Sequence, residues 1–291
     1  MKRILITGAN SYVGICVENH LKQWCDAYQV DTVDMIGDDW RKQSFSGYDA
    51  VFHVAGLVHL AKAKNDPEQA ERYDRVNHRL AVETAQKAKA DGVKQFVFMS
   101  SASVYGLRAP VGRVVMITKD TPLNPTDNYG ISKKKAEQGL QALADEHFRV
   151  CILRPPMIYG KGCKGNYQTM AALARKLPVF PAVDNQRSML YVENLAEFVR
   201  LVIENEEAGI FCPQDDGYVN TSQMVNLIAH ANGRGILLVP GFTWALKLLG
   251  HFTGIVDKAF GSLCYDRELS SYPQNYCVKD LCEAVMETER K

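Results

Sequence analysis

The sequence has almost no net charge, because 34 lysine and arginine residues are balanced by 33 aspartate and glutamate residues among 291 positions. Proteins that bind nucleic acids or anionic membranes through their overall charge are usually strongly basic. The balance therefore excludes binding to either partner through net charge. We expect no nucleic-acid partner, and any basic site must be local.

Paired cysteine motifs are also missing. The eight cysteines are scattered, without a Cys-x-x-Cys pair and without a histidine at metal-ligand spacing. A chain of this length buries enough apolar surface to fold without disulfides. We therefore predict reduced thiols, a cytoplasmic protein and no metal site.

Long apolar runs are absent as well. The run at 3–7 is too short for a secretory signal and leads directly into a glycine turn, so we expect no signal peptide. The most apolar segment, 236–256, is interrupted by a proline, a lysine, a histidine and three glycines. A membrane-spanning helix needs roughly 20 predominantly apolar residues. We predict no transmembrane segment and a helix packed on its own domain, with membrane contact through one apolar face as the alternative.

The first motif that is present is a glycine turn after the apolar run at 3–7, followed by apolar residues at helical spacing. Strand, glycine turn and helix in this order are typical of a dinucleotide-binding βαβ unit. Backbone N–H groups at the start of such a helix face the pyrophosphate of the cofactor. An ordinary strand-to-helix turn is the alternative. The predicted cofactor contacts in this turn are Gly8, Asn10, Ser11, Tyr12, Val13 and Gly14.

A second predicted strand, 29–33, is followed at once by Asp34. A carboxylate at the end of this strand accepts hydrogen bonds from the adenosine ribose hydroxyls and repels a 2′-phosphate. The position therefore favours NAD over NADP. NADP is not excluded, because Asp31 competes for this role and Arg41 or Lys42 offers a cation to a phosphate.

The third predicted strand lies within 49–56 and ends in small residues, Ala55 and Gly56, which leave room for the cofactor to cross the end of the strand. His53 lies inside this apolar run and is interpreted as a core histidine. His59 lies beyond the turn, where a solvent role and a substrate role are equally open.

A further buried strand, 95–99, delivers the serine-rich segment 100–106 to the carboxyl edge of the predicted sheet, where open α/β sheets bind ligands. Serine clusters also occur in plain loops. Asn77, in the preceding helical stretch, is expected to brace the neighbouring strand turn. The long connection 107–128 is expected to be functional or mobile and to contain a short hairpin around 111–117.

Tyr129 and Lys133 are four residues apart and follow a plausible helix cap at Asp127. Residues at this spacing share one helix face, so the ammonium can approach the phenol and favour its ionised form. Such a pair can shuttle a proton. The alternative is the start of a surface helix whose three consecutive lysines, 133–135, form a solvated charge run.

The composition changes after a strand at 150–154, where a glycine-rich, basic segment precedes a helix over about 167–177. We predict an α/β fold, a Rossmann-type doubly wound parallel sheet with a smaller carboxyl-terminal substrate-binding lobe. The predicted domains are an NAD(P)-binding domain at 1–160, to which segments near 188–213 return, and a mainly substrate-binding lobe at 161–291.

Together, these motifs resemble the extended short-chain dehydrogenase/reductase family, especially its NAD-dependent branch of nucleotide-sugar epimerases and 4-ketoreductases, which is UDP-glucose 4-epimerase-like. The middle glycine of the family's usual turn is Ser11 here. The segments that carry the resemblance are 7–14, Asp34, 49–56, 100–106, Tyr129 with Lys133, 153–155 with 159–160, and Arg187 with 191–192.

The resemblance implies catalytic roles for three residues. Tyr129 would be the acid/base that moves the proton of the sugar C4 hydroxyl. Lys133 would hold the nicotinamide ribose and lower the pKa of Tyr129. Ser101, rather than Ser100 or Ser103, would hydrogen-bond the reacting oxygen.

The resemblance also implies binding roles. Asn166 would contact the sugar diphosphate and Arg187 its phosphates, for which a planar guanidinium is well suited. A surface salt bridge is the alternative for Arg187, and Arg267 is a candidate second arginine by location only. Ser103 is assigned to the substrate site and Pro155 to the cofactor site.

The implied function is NAD-dependent epimerisation at C4 of a nucleotide-diphosphate sugar, with a UDP-sugar expected first, in polysaccharide biosynthesis by a homodimer. Ser101 is followed by Ala102 and Ser103 and not by an Asp-Glu pair, which argues against a 4,6-dehydratase. Two alternatives stay open: an NAD(P)H-dependent reductase of an NDP-4-keto sugar, and a non-catalytic cofactor-binding or scaffold protein of the same fold.

Overall fold

The computed structural model describes residues 1–58, 66–252 and 254–290 of the chain. Its strands are β1 (Lys2–Thr7), β2 (Tyr28–Val33), β3 (Ala50–His53), β4 (Gln95–Met99), β5 (Val114–Ile117), β6 (Arg149–Leu153), β7 (Met157–Tyr159), β8 (Val179–Pro181), β9 (Met189–Tyr191), β10 (Gly209–Phe211), β11 (Leu237–Val239) and β12 (Ser262–Tyr265). Its α-helices are α1 (Tyr12–Leu21), α2 (Pro67–Tyr73), α3 (Leu80–Ala90), α4 (Asn128–Gln141), α5 (Asn166–Lys176), α6 (Val192–Glu204), α7 (Thr221–Ala231), α8 (Thr243–Phe252), α9 (Gly254–Phe260) and α10 (Leu281–Glu289).

Six of these strands form one parallel sheet in the order β10-β6-β4-β3-β1-β2. The chain leaves β1 toward β2 on one side and then returns to place β3 on the other side. The carboxyl ends of β1 and β3 therefore border a topological switch point, which is where open α/β sheets bind ligands. The predicted doubly wound parallel sheet is confirmed.

The described residues divide into two compact units. The first unit contains this sheet, and the second takes in the connection after the serine-rich segment and most of the carboxyl-terminal half. The ranges are Met1–Gly106, Pro122–Pro155 and Leu195–Pro213 for the first unit, and Leu107–Thr121, Pro156–Asn194 and Gln214–Lys291 for the second.

A core of buried side chains on one face of the sheet fixes α3 and α4 in the first unit. Small residues face this core from the helices, among them Ala81 and Ala85 on α3 and Ala136 on α4, opposite Phe96 and Phe98 of β4. Helix α3 continues α2 through a π turn at Asp74–Arg79, in which Asn77 is fully buried. The helix thus carries two polar residues, Asn77 and Thr84, into the buried side that also presents the alanines.

In the second unit, three two-stranded parallel ladders pair strands that are distant in sequence: β5 with β12, β7 with β9, and β8 with β11. The hairpin predicted around 111–117 is therefore wrong, because β5 takes its partner from a strand about 150 residues later. The apolar segment 236–256 forms β11, α8 and part of α9. No helix among the described residues is long and apolar enough to cross a membrane.

Candidate active site

The serine-rich segment after β4 directs two neighbouring hydroxyls to different partners. Ser101 Oγ caps a short 3₁₀ turn, accepting a hydrogen bond from the Ser103 N–H at 3.2 Å. Its hydroxyl donates to Ser103 Oγ at 3.2 Å, and it also acts on the phenol of Tyr129 as a hydrogen-bond partner that lowers the pKa of the phenol. Ser100 is buried and its hydroxyl donates to Glu137. Of the two serines next to β4, Ser101 is thus the one that meets the tyrosine.

The start of α4 fixes Tyr129 next to this segment. Asp127 caps the helix, because its Oδ1 accepts a hydrogen bond from the Gly130 N–H at 2.7 Å. A Cβ atom at Gly130 would lie 2.5 Å from the Ser103 carbonyl oxygen. Only glycine permits this close approach of the first helical turn to the serine segment. The predicted helix cap at Asp127 is confirmed.

The pKa of the Tyr129 phenol is shifted in opposite directions by its surroundings. Burial raises its pKa to about 12, the hydrogen bond with Ser101 acts in the lowering direction, and the charges of Asp127 and Tyr73 add to the rise. Lys133 does not bring the pKa of Tyr129 below its usual value, in contrast to the prediction. The hydroxyl is protonated at neutral pH in this structure.

The Lys133 amine has partners other than the phenol of Tyr129. Its Nζ donates to the carbonyl oxygen of Met99, the last residue of β4, at 2.7 Å and lies 4.6 Å from the centre of the Phe98 ring. Burial lowers the pKa of the amine to about 7, while Glu137 acts in the raising direction. An amine that is only partly protonated at neutral pH exerts a weaker field on its neighbours than a full positive charge.

A buried ion pair lies one helical turn beyond Lys133. Arg154 contacts both carboxylate oxygens of Glu137, with Nη2 to Oε2 at 2.6 Å and Nε to Oε1 at 3.1 Å. Its Nη1 also donates to the Tyr105 hydroxyl at 3.0 Å. The pair joins the middle of α4 to the end of β6. No role was predicted for Glu137, although its position four residues after Lys133 places both side chains on one helix face and is a usable signal.

The glycine turn has the geometry that a pyrophosphate cradle requires. Gly8 has a φ of +104°, and a Cβ atom there would lie 2.7 Å from the backbone nitrogen of Ala55. Asn10 adopts the left-handed region, with a φ of 67°. Ser11 Oγ accepts a hydrogen bond from the Gly14 N–H at 3.2 Å and caps α1. Ser11 therefore fits this turn as a helix cap. The N–H groups of Gly8, Ala9 and Ser11 already donate to backbone carbonyls, so the first turn of α1 is the part of the motif that suits an anion.

The ends of β3 and β6 complete this side of the site. A Cβ atom at Gly56 would meet Asn77 Oδ1 at 3.1 Å and Lys133 Nζ at 3.4 Å, so glycine keeps this space open. Asn77 accepts from the N–H of Leu57 and donates to its carbonyl oxygen, which confirms the predicted brace. The carbonyl of buried Pro155 accepts a hydrogen bond from the Ala102 N–H at 2.9 Å.

His53 is fully buried, and its Nδ1 lies 2.7 Å from Thr7 Oγ1. Burial lowers its pKa to about 3, with a further contribution from the charge of Lys133, so the imidazole is neutral at physiological pH. The prediction of a core histidine is confirmed. His59, whose role was left open, lies outside the described residues.

The acidic candidates for the adenosine ribose differ in their contacts. Asp34 is exposed, and its Oδ1 accepts a hydrogen bond from the Ile36 N–H. Asp31 is instead bound by the Tyr48 hydroxyl at 2.9 Å. The two cationic candidates for a 2′-phosphate are paired in this structure, Arg41 with Glu83 and Asp38, and Lys42 with Asp39.

The candidates for the sugar diphosphate lie in the second unit. Asn166 is exposed at the first position of α5. Arg187 is half-buried, and its guanidinium donates to the carbonyl oxygen of Lys258. Burial lowers its pKa, and no salt bridge of Arg187 is found in the described part of the chain. Arg267 is exposed and lies 5.5 Å from the centre of the Tyr218 ring.

Comparison with known proteins places this arrangement in a family. The profile of the NAD dependent epimerase/dehydratase family matches residues 4–211, which include the whole glycine turn and the Ser101, Tyr129 and Lys133 constellation. The chain belongs to this family. Membership confirms the predicted resemblance, the predicted nicotinamide cofactor and the predicted class of NAD(P)-dependent epimerase or oxidoreductase.

Individual relatives agree with this assignment. The chain is 32% identical to a UDP-glucose 4-epimerase of Vibrio cholerae over 289 residues, covering 91% of this chain and 87% of that protein. It is 28% identical to an N-acetyl-α-D-glucosaminyl-diphospho-ditrans,octacis-undecaprenol 4-epimerase of Escherichia coli O157:H7, covering 76% of this chain and 70% of the relative. The solved structure of a UDP-glucuronic acid 4-epimerase from Bacillus cereus with NAD has a TM-score of 0.71 at 15% identity, covering 98% of this chain and 96% of that chain, and shares the fold.

Proposed function

We propose that this member of the family catalyses NAD-dependent epimerisation at C4 of a nucleotide-diphosphate sugar, with a UDP-sugar as the first expected substrate. The observation that carries the proposal is the hydrogen bond between Ser101 and Tyr129, with the Lys133 amine buried one helical turn away. An acid/base pair next to a nucleotide cradle is what reversible oxidation of a hydroxyl requires. The UDP-glucose 4-epimerase of Vibrio cholerae supports this choice.

In the proposed mechanism, the phenol of Tyr129 first gives up its own proton, for which the partly deprotonated Lys133 amine is the proposed acceptor. The phenolate then accepts the proton of the C4 hydroxyl and later returns it to the C4 oxygen. Bound NAD supplies the hydride acceptor for C4 and the hydride that is returned to the opposite face of the sugar. Ser101 donates a hydrogen bond that favours the phenolate and holds the C4 oxygen in place. Lys133 has a pKa of about 7, which suits it to take up and release a proton at neutral pH and to hold the nicotinamide ribose.

The cofactor residues proposed from the turn are Gly8, Asn10, Ser11, Tyr12, Val13 and Gly14, together with Asp34, Ala55, Gly56 and Pro155. Asp34 supports NAD over NADP, because its exposed carboxylate repels a 2′-phosphate. The salt bridges of Arg41 and Lys42 support the same choice, since both cations are already neutralised by carboxylates.

The proposed substrate contacts are Ser103, Asn166 and Arg187. Arg187 has a carbonyl oxygen rather than a carboxylate as its hydrogen-bond partner, so its charge is not neutralised there and suits a diphosphate. We also propose a cytoplasmic location, supported by eight cysteines none of which forms a disulfide in the described part of the chain. A homodimer is proposed from the family resemblance alone.

The test is to incubate the purified protein with a panel of UDP-, GDP- and dTDP-sugars and one lipid-diphosphate sugar, with and without added NAD(P)H, and to follow products by NMR. A C4 epimer formed without net NAD(P)H consumption is the expected result. Consumption of NAD(P)H in proportion to product would identify a reductase of a 4-keto sugar instead. Tight NAD binding without turnover of any substrate would favour a non-catalytic cofactor-binding protein.

A further inference from the structure

The second unit carries an exposed apolar surface that the active site does not use. In the ladder of β8 and β11, Val179 lies opposite Leu237, and these side chains are 50% and 65% exposed. Helix α8 starts four residues after the end of β11 and adds further exposed apolar side chains. We call these exposed side chains the apolar face; they are Val179, Leu237, Phe242, Trp244, Leu248 and Leu249.

The apolar face has a tryptophan at its most exposed point. Trp244 is 72% exposed, whereas Trp24 is 39% and Trp40 only 1% exposed. Leu248 lies one helical turn after Trp244 and is 56% exposed, so the two share one side of α8. Leaving large apolar side chains together in water is unfavourable, and such patches usually mark an interaction site.

The two sequence segments that supply the apolar face carry only positive charges. These segments, 156–183 and 217–256, contain no aspartate or glutamate, although the chain as a whole is almost neutral and Asp184 and Asp257 follow them directly. Exposed basic residues flank its members: Lys176 precedes the loop into β8, Arg234 precedes β11, and Lys247 lies on α8. An apolar surface with a basic margin is complementary to an anionic surface that is apolar just below its charges.

We propose that the apolar face binds the surface of a bilayer that contains anionic phospholipid, with α8 lying in the plane of the interface. Amphipathic helices with Trp, Phe and Leu on one side and basic residues at the margin bind membranes in this way, and tryptophan is favoured at the level of the lipid headgroups. Helix α8 has ten residues and a length of about 15 Å, which suits a helix in the interface plane.

A second copy of the chain fits the apolar face less well. In a symmetric contact the same patch meets itself, so the basic margin of one copy would face the basic margin of the other. Neither segment supplies a carboxylate to pair with those cations. Anionic phosphate headgroups supply the missing opposite charge.

The test is binding of the full-length protein to vesicles of phosphatidylcholine with and without phosphatidylglycerol, by co-sedimentation and by quenching of tryptophan fluorescence with brominated lipid. We expect binding that requires phosphatidylglycerol, weakens as salt increases, and brings a blue shift and quenching. Trp244→Ser should abolish the quenching, and Leu248→Ser should weaken binding at least tenfold. Arg234→Glu should weaken it about fivefold or more.

Met286→Ser is the matched control, because Met286 is 57% exposed in the same unit on a helix that carries Glu283 and Glu287. It should bind like the unmodified protein, and far-ultraviolet circular dichroism should show that every variant is folded. Absence of binding to phosphatidylglycerol vesicles would overturn the proposal. So would equal loss of binding in Met286→Ser, or a dimer that Trp244→Ser dissociates. Since no step requires catalysis, failure here leaves the proposed epimerase activity untouched.

Discussion

The Tyr129 hydroxyl shows how much of an acid/base residue's behaviour is decided by what surrounds it. A free phenol has a pKa of about 10 and is a poor base at neutral pH. In this structure burial moves the pKa further upward, and Ser101 is the neighbour that acts in the useful direction. The residue is therefore protonated in this structure, and it must lose that proton before it accepts one from a substrate hydroxyl. The phenol becomes a base only as the phenolate, which Ser101 and Lys133 must stabilise before a substrate hydroxyl bound beside it is deprotonated.

Tyr129→Phe removes the proposed acid/base while keeping the ring. We expect kcat to fall at least about 100-fold, the usual scale for general acid–base catalysis, with little change in the Kd for NAD. Steady-state turnover and cofactor titration measure the two quantities. Tyr48→Phe, which removes the hydroxyl bound to Asp31, should keep kcat close to that of the unmodified protein. Full turnover of every accepted substrate by Tyr129→Phe would disprove its role.

Asp215 is a buried residue, and burial raises the pKa of its carboxyl to about 6. Hydrogen bonds from Tyr191, Asn194 and Tyr159 act on this pKa in the lowering direction. The folded protein therefore holds this proton at pH values where the unfolded chain has released it. The stability contributed by Asp215 is present below about pH 4 and is lost as the pH rises through about 6.

For Asp215→Asn we predict a flatter pH dependence of the free energy of unfolding. Between pH 4 and 7, the stability of the unmodified protein relative to this variant should fall by about 3 kcal/mol, because the pKa shift is about two units. Urea unfolding at several pH values measures this. Asp216→Asn, at the exposed neighbouring position, should change the curve much less. Parallel curves for the unmodified protein and Asp215→Asn would contradict the prediction.

At this scale the sequence predicts residue types better than residue partners. The spacing of Tyr129 and Lys133 follows from helix geometry, and so does the cap at Asp127. The partner of each serine after β4 is not visible, because Ser100 and Ser101 are chemically identical and only the twist of the segment sends one to Glu137 and the other to Tyr129. The direction of the pKa shifts depends on burial, which the sequence does not specify.

Helix α4 is fixed at two points. The first is its cap at Asp127, and the second is the buried ion pair of Glu137 and Arg154. A buried ion pair is costly to break, since removing one partner leaves the other charge in a poorly solvating environment. The pair lies one turn beyond Lys133, so it fixes the part of the helix that carries the amine. We infer that it is a positioning pair and makes no contact with the reacting atoms.

Glu137→Ala should lower the free energy of unfolding by about 3–5 kcal/mol, because it leaves the Arg154 guanidinium buried without its carboxylate. Chemical denaturation measures the loss. The double variant Glu137→Met with Arg154→Met should recover much of it, since no charge is then left unpaired. Glu287→Ala breaks only the exposed contact with Lys279 and should have little effect. A single variant as stable as the unmodified protein would contradict the buried-pair argument.

Among the elements, those of the first unit were predictable and those of the second were less so. Strands β1, β3 and β4 are apolar runs, and helical patterns follow β1 and β3, which is typical of a parallel sheet. Strands β5, β8 and β11 have only three or four residues, and each pairs with a strand far away in the sequence. Local patterns carry no information on such partners, and the predicted hairpin around 111–117 was wrong for this reason.

All eight cysteines lie among the described residues, where none of them forms a disulfide, and their thiols differ mainly in exposure. Two thiols are exposed, those of Cys25 and Cys282, and four are buried. Burial of a thiol both blocks access and raises its pKa, as for Cys151. The reactivity of the thiols therefore reports on the integrity of both units.

Titration with Ellman's reagent should show two fast thiols in the native protein and eight in denaturant, without prior reduction. Cys25→Ser with Cys282→Ser should remove the fast phase and leave the slow one. Fewer than eight thiols in denaturant would indicate a disulfide and contradict the structure. A native protein with eight fast thiols would contradict the burial of the remaining cysteines.

The π turn between α2 and α3 keeps buried residues that are four positions apart on the same side of the helix. Tyr73, Asn77, Ala81 and Ala85 recur every four residues and are all buried. In a uniform α-helix, residues four apart drift about 40° per step around the axis, or about 120° over three steps. A π turn contains more residues per turn and drifts in the opposite sense. The π turn therefore compensates for the drift of the α-helix. The amide of Asn77, which binds the turn after β3, and the core residues Ala81 and Ala85 stay on one side of a continuous helix.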